Sequence, residues 1–296
     1  MKENFLERLK NKGMLLLDSA MGTMLQAAGL KSGEECGELW NLDHNAEKVL
    51  RVHRANVEKG SDIILTNTFG ANPLKLAHYG AADQVRQINR EGAQLAHAAA
   101  GEKAFVAGDI GPTGEILEES GGTATREAVR NAFQEQVAGL LEGGVDLFIL
   151  ETFMDIEELK LAVEAIRKNS SLPVIASMTF QANPAGIRTM WGLTPEEVAR
   201  ELTEASVDAV GANCGMGTRQ MLQVMQEMAR GTELPLAAQP NAGTPEVRGE
   251  MTVYPETAEQ MAELAPEFKA AGVKILGGCC GTTPEYIAAI KDKLGL

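Results

Sequence analysis

The stretch Leu147-Phe148-Ile149-Leu150-Glu151, followed by Asp155-Ile156-Glu157-Glu158, contains the pattern that decides the fold. A continuous apolar run ends in an acid, and an aspartate then opens a segment with acids in its first turn. Such a run is typical of a parallel strand that is buried on both faces. Asp155 is suited to cap the helix that follows it, with Glu158 three residues further on. The stretch therefore predicts one βα unit.

The same unit recurs along the whole chain. The predicted strands are Met14–Asp18, Ile63–Thr66, Phe105–Asp109, Leu147–Glu151, Val174–Met178, Ala209–Asn213, Leu236–Gln239 and Lys274–Gly277. Eight such units in 296 residues predict an α/β fold, a single (β/α)8 TIM barrel over residues 1–296. An open doubly wound sheet, which also alternates strands and helices, is the alternative. We expect residues 1–13 to contain a helix that closes the N-terminal end of the barrel.

Composition and charge disfavour several classes of partner. The net charge of −14 argues against nucleic acid and anionic membranes. Apolar runs such as Val145–Leu150 are too short to cross a bilayer, and Met1–Phe5 carries charged and polar residues where a signal peptide would be apolar. We therefore expect a cytoplasmic protein, in which thiols stay reduced and clustered cysteines favour a metal over a disulfide.

Cysteines follow two of the predicted strands inside glycine-rich turns. Cys279 and Cys280 lie in Gly277-Gly278-Cys279-Cys280-Gly281, and Cys214 lies in Asn213-Cys214-Gly215. The carboxyl ends of barrel strands meet at one mouth, so these thiols are expected to converge. Neighbours on a strand point to opposite faces, and the adjacent pair must therefore lie beyond the strand end. Three thiolates with one open position predict a soft-metal site, most simply zinc.

Other interpretations of the cysteines stay open at this point. The adjacent pair is also compatible with a strained redox disulfide, and Cys214 with a buried packing cysteine. Cys36 lies in a loop far from any predicted strand end, and we interpret it as a bystander.

Asp18 and Glu151 each end a predicted strand, on the same side of the barrel. Asp18 and Glu151 are each compatible with capping the turn that follows. Together at one mouth they are also suited to bind the ammonium group of an amino acid by charge-assisted hydrogen bonds. The backbone amides of Ser19 and Ala20 are candidates for holding its carboxylate.

Several of these motifs together resemble the homocysteine S-methyltransferase domain family. The resemblance covers essentially the whole chain and is strongest to the N-terminal homocysteine-binding barrel of cobalamin-dependent methionine synthase. The similar stretches are Asp18–Leu25, Thr66–Phe69, Gly108–Pro112, Gly211–Cys214 and Gly277–Pro284. The resemblance implies that Cys214, Cys279 and Cys280 bind zinc and that the homocysteine thiolate completes the tetrahedron. It also implies that Asp18 and Glu151 hold the amino acid end, and that the product is methionine.

The methyl donor is the less determined part of this prediction. Recognition of betaine requires aromatic faces, and betaine-using relatives carry aromatics where this chain has Gly70 and Thr152. We therefore expect a stand-alone barrel whose donor is a methylcorrinoid carried by a separate protein. S-methylmethionine, betaine or another small methyl donor is the alternative. A zinc- or thiol-binding barrel without turnover is the alternative of a different class.

Overall fold

Parallel strands form the central sheet of the protein. The computed structural model describes residues 4–31, 33–184, 186–248 and 251–296. The sheet has eight strands: β1 Leu15–Leu16, β2 Ile63–Leu65, β3 Phe105–Ile110, β4 Leu147–Phe153, β5 Val174–Met178, β6 Ala209–Gly217, β7 Leu236–Asn241 and β8 Val273–Leu276. Each strand from β2 to β8 pairs with the next one along the chain, and β8 pairs with β1. This arrangement confirms the predicted (β/α)8 barrel.

Residues next to the two edge strands bring β1 and β2 together. The Asp62 amide donates to the Leu16 carbonyl at 2.8 Å, and the Leu16 amide donates to Asp62 Oδ2 at 2.9 Å. Further up, the Leu65 amide donates to Asp18 Oδ2 at 2.9 Å. These hydrogen bonds leave the barrel nearly closed, so the carboxyl ends of all strands face one mouth.

Helices surround the sheet and follow each strand. They are α1 Phe5–Asn11, α2 Met21–Ala27, α3 Ala46–Lys59, α4 Pro73–Ala77, α5 Val85–Ala100, α6 Arg126–Gly143, α7 Ile156–Asn169, α8 Pro195–Glu204, α9 Thr218–Met228, α10 Ala258–Glu263, α11 Ala265–Ala270 and α12 Pro284–Leu294. Single-turn 3₁₀ helices cover Gly37–Asn41, Ala82–Gln84 and Glu118–Ser120. Among the residues described, none of these helices combines the length and the apolarity that a membrane crossing requires.

Side chains cap the starts of α7 and α8. Thr194 and Glu197 form a capping box at α8, and Asp155 accepts a hydrogen bond from the Glu157 amide at α7. Thr283 also precedes a helix with proline at its start, but its hydroxyl donates to Glu285 rather than accepting from the backbone.

Two short antiparallel hairpins interrupt the repeating pattern on the mouth side. Gln181–Asn183 pairs with Gly186–Arg188 after β5, and Glu246–Arg248 pairs with Met251–Val253 after β7. The sequence did not predict either hairpin.

The N-terminal helix α1 packs against the barrel interior at the amino-terminal ends of the strands. Phe5 and Leu9 are buried in one cluster with residues near the amino ends of the strands, among them Ile63 and Phe105. The rings of Phe5 and Phe105 meet edge to face at 5.5 Å. This contact is what a helix closing the bottom of the barrel requires. Residues 1–3 of the predicted segment 1–13 lie outside the described residues, and the domain boundaries stay a prediction.

Candidate active site at the barrel mouth

Cys214 lies in an unusual backbone conformation on β6. Its φ is +59° and that of Gly215 is +75°, in the left-handed region that L-residues with a side chain avoid. β6 continues past the predicted end at Asn213 as far as Gly217. Its pairing with β7 becomes irregular between these two residues. The Thr179 hydroxyl donates to the Asn213 carbonyl at 2.9 Å and fixes this bend. The distortion turns the Cys214 side chain out of the regular alternation of the strand.

Cys279 and Cys280 lie beyond the end of β8, as the sequence predicts. The end of β7 holds both residues: the Cys279 amide donates to the Pro240 carbonyl at 2.8 Å, and the Ala242 amide donates to the Cys280 carbonyl at 2.9 Å. The Thr282 hydroxyl donates to the Cys279 carbonyl at 2.7 Å. The adjacent thiols are therefore fixed in a turn rather than on opposite faces of a strand.

The three sulfur atoms form a compact cluster that can hold a metal ion. All lie within 4.8 Å of one another. Cys280 Sγ is 3.8 Å from Cys214 Sγ and 4.0 Å from Cys279 Sγ. A tetrahedral zinc with Zn–S bonds of about 2.3 Å has sulfur–sulfur edges of about 3.8 Å. The donor set and its spacing therefore fit three corners of such a tetrahedron and leave the fourth for another ligand.

The electrostatics of the cluster also favour a dication. Hydrogen bonds from Cys214 and Cys279 lower the pKa of the Cys280 thiol to about 3. Hydrogen bonding to Cys214 and Cys280, together with burial, raises the pKa of the Cys279 thiol well above its ordinary value. One thiolate is thus favourable and a second is opposed by its neighbours, whereas a bound dication would stabilise all three as thiolates.

Buried polar atoms without partners lie on the strand that supports the cluster. Gln239 Oε1 and Asn241 Oδ1 are buried and have no hydrogen-bond partner among the described residues. Asn241 stands between Pro240 and Ala242, whose backbones bind the cysteine pair. An unpaired buried oxygen is costly in a folded protein, and a cation or a substrate N–H would satisfy it.

Three acids at the ends of β1, β3 and β4 influence one another. Burial raises the pKa of Asp18 well above its ordinary value, and the charge of Glu151 adds to this effect. Burial, and then the charge of Cys214, raises the pKa of Glu151 to about 7. Burial, and then the charges of Glu151 and Asp18, raises the pKa of Asp109, whose Oδ1 has no partner among the described residues. Such a group of acids is suited to bind a cation such as an ammonium.

Asp109, Asn213 and Gln239 were not selected from the sequence as site residues. Each is the last residue of a predicted strand, which is the same signal that selected Asp18 and Glu151. Gln239 Nε2 donates to Glu151 Oε2 at 3.2 Å, so this neutral residue orients one of the predicted acids. The position at a strand end could therefore have identified all three, Asp109 as an acid and Asn213 and Gln239 as amides.

The backbone amides of Ser19 and Ala20 already have acceptors. Ser19 donates to Asn56 Oδ1 through its amide at 3.0 Å and through its hydroxyl at 2.8 Å. The Ala20 amide donates to Thr282 Oγ1 at 3.2 Å. A substrate carboxylate at this turn would have to share or replace these hydrogen bonds, and the role of both amides stays a prediction.

Cys36 lies apart from the sulfur cluster. Its Sγ donates to Glu38 Oε2 at 3.1 Å, and its side chain packs among buried residues that include Ala71 and Leu76. Burial, with the charge of Glu38, raises the pKa of this thiol to about 12. A thiol that stays protonated and is already hydrogen-bonded agrees with the prediction that Cys36 takes no part in the metal site.

Comparison with known proteins gives the family of the chain. Enzymes with this fold have their active sites at the carboxyl ends of the strands, which is where the three thiols lie. The model of the family described as homocysteine S-methyltransferase matches residues 15–294. The chain belongs to the homocysteine S-methyltransferase family.

Individual relatives are known from sequence and from structure. Methionine synthase of Mycobacterium tuberculosis is 34% identical over 293 residues, which cover 92% of this chain and 24% of that protein. Methionine synthase of Mycobacterium leprae is 33% identical over 307 residues, with 97% and 25% covered. The chain thus spans about a quarter of the length of these curated relatives. The metallated form of the homocysteine methyltransferase MmuM from Escherichia coli superimposes with a TM-score of 0.80 at 27% identity, over 97% of this chain and 98% of that one.

Proposed function

We propose that this barrel activates a thiol, L-homocysteine, for S-methylation to methionine, with zinc bound by Cys214, Cys279 and Cys280. The observation that carries the proposal is the sulfur spacing of 3.8 and 4.0 Å at the mouth, which matches the edges of a zinc–sulfur tetrahedron. Membership of the homocysteine S-methyltransferase family supports the choice of substrate. The cytoplasm is the expected location, because it keeps such thiols reduced.

The chain's own residues would bind and orient the amino acid. When bound, zinc keeps the substrate thiol deprotonated and nucleophilic near neutral pH. Glu151, oriented by Gln239, and Asp18 are proposed to hold the substrate ammonium, and the turn at Ser19 and Ala20 to hold its carboxylate. The new S–CH3 bond forms while the bond from the methyl carbon to the donor breaks, and the electron pair of that bond leaves with the donor.

A methylcorrinoid carried by a separate protein is the proposed donor. Two aromatic side chains near the mouth, Phe153 and Phe69, are already engaged and are not free to form a cage for a quaternary ammonium such as betaine. Phe153 is fully buried and packs against Phe133 at 6.0 Å between ring centroids. One face of Phe69 is covered by Lys75, whose Nζ lies 4.6 Å from the ring centroid. A cation already on that ring would repel a second one.

Exposed apolar side chains on the mouth side favour a donor delivered by a macromolecule. Ile116 follows β3, Met154 follows β4, and Met190 and Trp191 follow β5, and each is between 39% and 55% exposed. Ser120 in the first of these loops donates to Asp155 in the second at 2.9 Å, so the loops are neighbours. Exposed apolar residues in neighbouring loops, such as Ile116 and Met154, are typical of interaction sites.

The decisive experiment is a donor panel with homocysteine and the zinc-loaded protein. Methylcobalamin, a methylated corrinoid protein, betaine and S-methylmethionine are offered separately, and methionine is measured directly. We expect methionine from the corrinoid donors. Turnover with betaine or S-methylmethionine alone would show that the donor is a small molecule and not a methylcorrinoid. No methionine from any donor would contradict the proposed activity.

X-ray absorption separates this function from a structural zinc site. Addition of homocysteine is expected to raise the number of sulfur neighbours of zinc from three to four, because the proposed site has one open position. A site already closed by four protein ligands and unchanged by homocysteine would favour the non-catalytic barrel.

A further inference from the structure

The two ends of the proposed substrate site are carried by different strands. The thiols that would hold the substrate sulfur through zinc follow β6 and β8, and Glu151, which would hold the substrate ammonium, lies on β4. The separation of these ends decides how many methylene groups fit between the sulfur and the α-carbon of the substrate. Homocysteine has one methylene more than cysteine, and a missing methylene changes recognition by roughly 10- to 200-fold. A contact that fixes this separation therefore determines specificity.

Thr152, the residue after Glu151, has a strained backbone. Its φ is +60°, in the left-handed region that β-branched residues avoid. The pairing of β4 with β5 is irregular between Leu150 and Phe153, so this bend lies at a break in the regular ladder of the strands. Such a conformation persists only where the surrounding structure holds it, and it is often found at functional sites.

The side chain of Asn213 on β6 holds Thr152 in this conformation. Its Oδ1 accepts from the Thr152 amide at 2.7 Å, and its Nδ2 donates to Thr152 Oγ1 at 2.7 Å. The same Nδ2 donates to Cys279 Sγ at 3.9 Å. Asn213 is fully buried, and the Thr179 hydroxyl donates to its carbonyl at 2.9 Å. One fixed amide group thus joins the backbone beside Glu151 to a sulfur of the cluster.

Gln239 on β7 holds the carboxylate of Glu151 independently. Gln239 is buried and is the register partner of Asn213 in the pairing of β6 with β7. Its Nε2 donates to Glu151 Oε2 at 3.2 Å. Glu151 is therefore held twice, at its carboxylate by Gln239 and through the peptide bond that it shares with Thr152 by Asn213. Both partners belong to the strand pair that also positions the cysteines.

We propose that Asn213, through its contacts with Thr152, sets the distance between the metal site and Glu151 and so selects homocysteine over the shorter amino acid thiol cysteine. Binding of a metal does not require the two contacts with Thr152, which serve the acid side of the site. Asn213 acts through Thr152 and Cys279 and is a positioning residue. The inference rests on the proposed function, and it concerns the length of the substrate rather than its activation.

Calorimetric titration of the zinc-loaded protein with L-homocysteine and with L-cysteine, without a methyl donor, measures this selectivity. The ratio of the two dissociation constants does not depend on the fraction of folded protein, which changes only the stoichiometry. We expect the unaltered protein to bind homocysteine about tenfold or more tightly than cysteine. Thr152→Val removes the hydroxyl and keeps the shape of the side chain. Its ratio should fall by roughly fivefold, the equivalent of one hydrogen bond, with zinc per chain unchanged.

Two further variants complete the test. Thr152→Ser keeps a hydroxyl at the same position and should keep the ratio of the unaltered protein. The matched control is Thr203→Val, which removes a hydroxyl that donates to the Ala199 carbonyl at 2.7 Å within α8, and it should also leave the ratio unchanged.

An unchanged ratio in Thr152→Val would overturn the inference. Loss of zinc from this variant would also overturn it, because the contacts would then retain the metal rather than set a distance. Binding of homocysteine to the unaltered protein without a preference over cysteine would overturn it as well. No binding of homocysteine to the unaltered protein would instead contradict the proposed function.

Discussion

Cys214 Sγ and Cys280 Sγ lie 3.8 Å apart, although 66 positions separate the two residues in the chain. They belong to β6 and to the turn after β8, and β7 lies between these strands. β7 pairs with β6 through Asn213 and Gln239 and binds the cysteine turn through Pro240 and Ala242. The sulfur spacing is therefore set by the strand between them, and it is rigid because each contact is a backbone pairing.

Removal of any one clustered thiol should abolish stoichiometric zinc. In Cys214→Ala, Cys279→Ala or Cys280→Ala, two sulfurs remain, and we expect methyl transfer to disappear while the circular dichroism of the barrel persists. Zinc per chain is measured by atomic absorption. Cys36→Ala is the matched control and should keep its zinc. Activity retained in any of the three variants would show that the ligand assignment is wrong.

Neutral isosteres of the mouth acids should weaken homocysteine binding. Charge-assisted hydrogen bonds contribute about 1.5–3 kcal/mol, so Glu151→Gln and Asp18→Asn are each expected to raise the KM for homocysteine by roughly 10- to 100-fold. Steady-state kinetics with homocysteine varied gives this value. The KM for the methyl donor serves as the internal control and should change little. An unchanged KM for homocysteine in both variants would show that these acids do not bind the substrate.

A side chain at Gly281 should damage the metal site. Gly281 has a φ of +82°, and an ideal Cβ there would meet the Tyr254 ring. We expect Gly281→Ala to displace that ring or the cysteine turn and to lower zinc per chain. Gly295→Ala is the control, because Gly295 has a φ of +66° with nothing within 4 Å of its ideal Cβ. It should cost about 1–2 kcal/mol of stability, the backbone penalty alone, and keep full zinc.

A buried histidine should make the protein sensitive to acid. His53 on α3 is fully buried, neither ring nitrogen has a partner among the described residues, and burial lowers its pKa to about 4. The unfolded chain binds this proton near pH 6.5, so the folded state is fully favoured above that pH and loses stability as the pH falls towards 4. The loss should reach about 2 kcal/mol at roughly pH 5.

Urea unfolding of His53→Phe at neutral and acidic pH measures this contribution. The variant should lose less stability on acidification than the unaltered protein, by about the same 2 kcal/mol. His78→Phe, which changes an exposed histidine, is the control and should keep the original pH dependence. An identical pH dependence in His53→Phe would show that His53 is not the group that titrates.

The strands could be predicted because burial on both faces leaves a local mark. Leu147 to Leu150 are all fully buried, and in the sequence they form a continuous apolar run, which is the pattern that predicts such a strand. The hairpin that begins at Gln181–Asn183 has no such mark, since its first strand is exposed and held by a local pairing. The extension of β6 past Asn213 depends on pairing with β7, which lies elsewhere in the chain.

The identity of the three clustered thiols and their place at strand ends were properties of the sequence by itself. Thiols in glycine-rich turns after apolar runs can converge only at the mouth once the runs form a barrel. The tertiary structure alone decided the 3.8 Å spacing, the Asp109 oxygen that has no partner among the described residues, and the N–H that Asn213 directs at Cys279 Sγ. These contacts join segments that are distant in the chain. Their distances depend on barrel closure and side-chain packing, which no local pattern of residue types records.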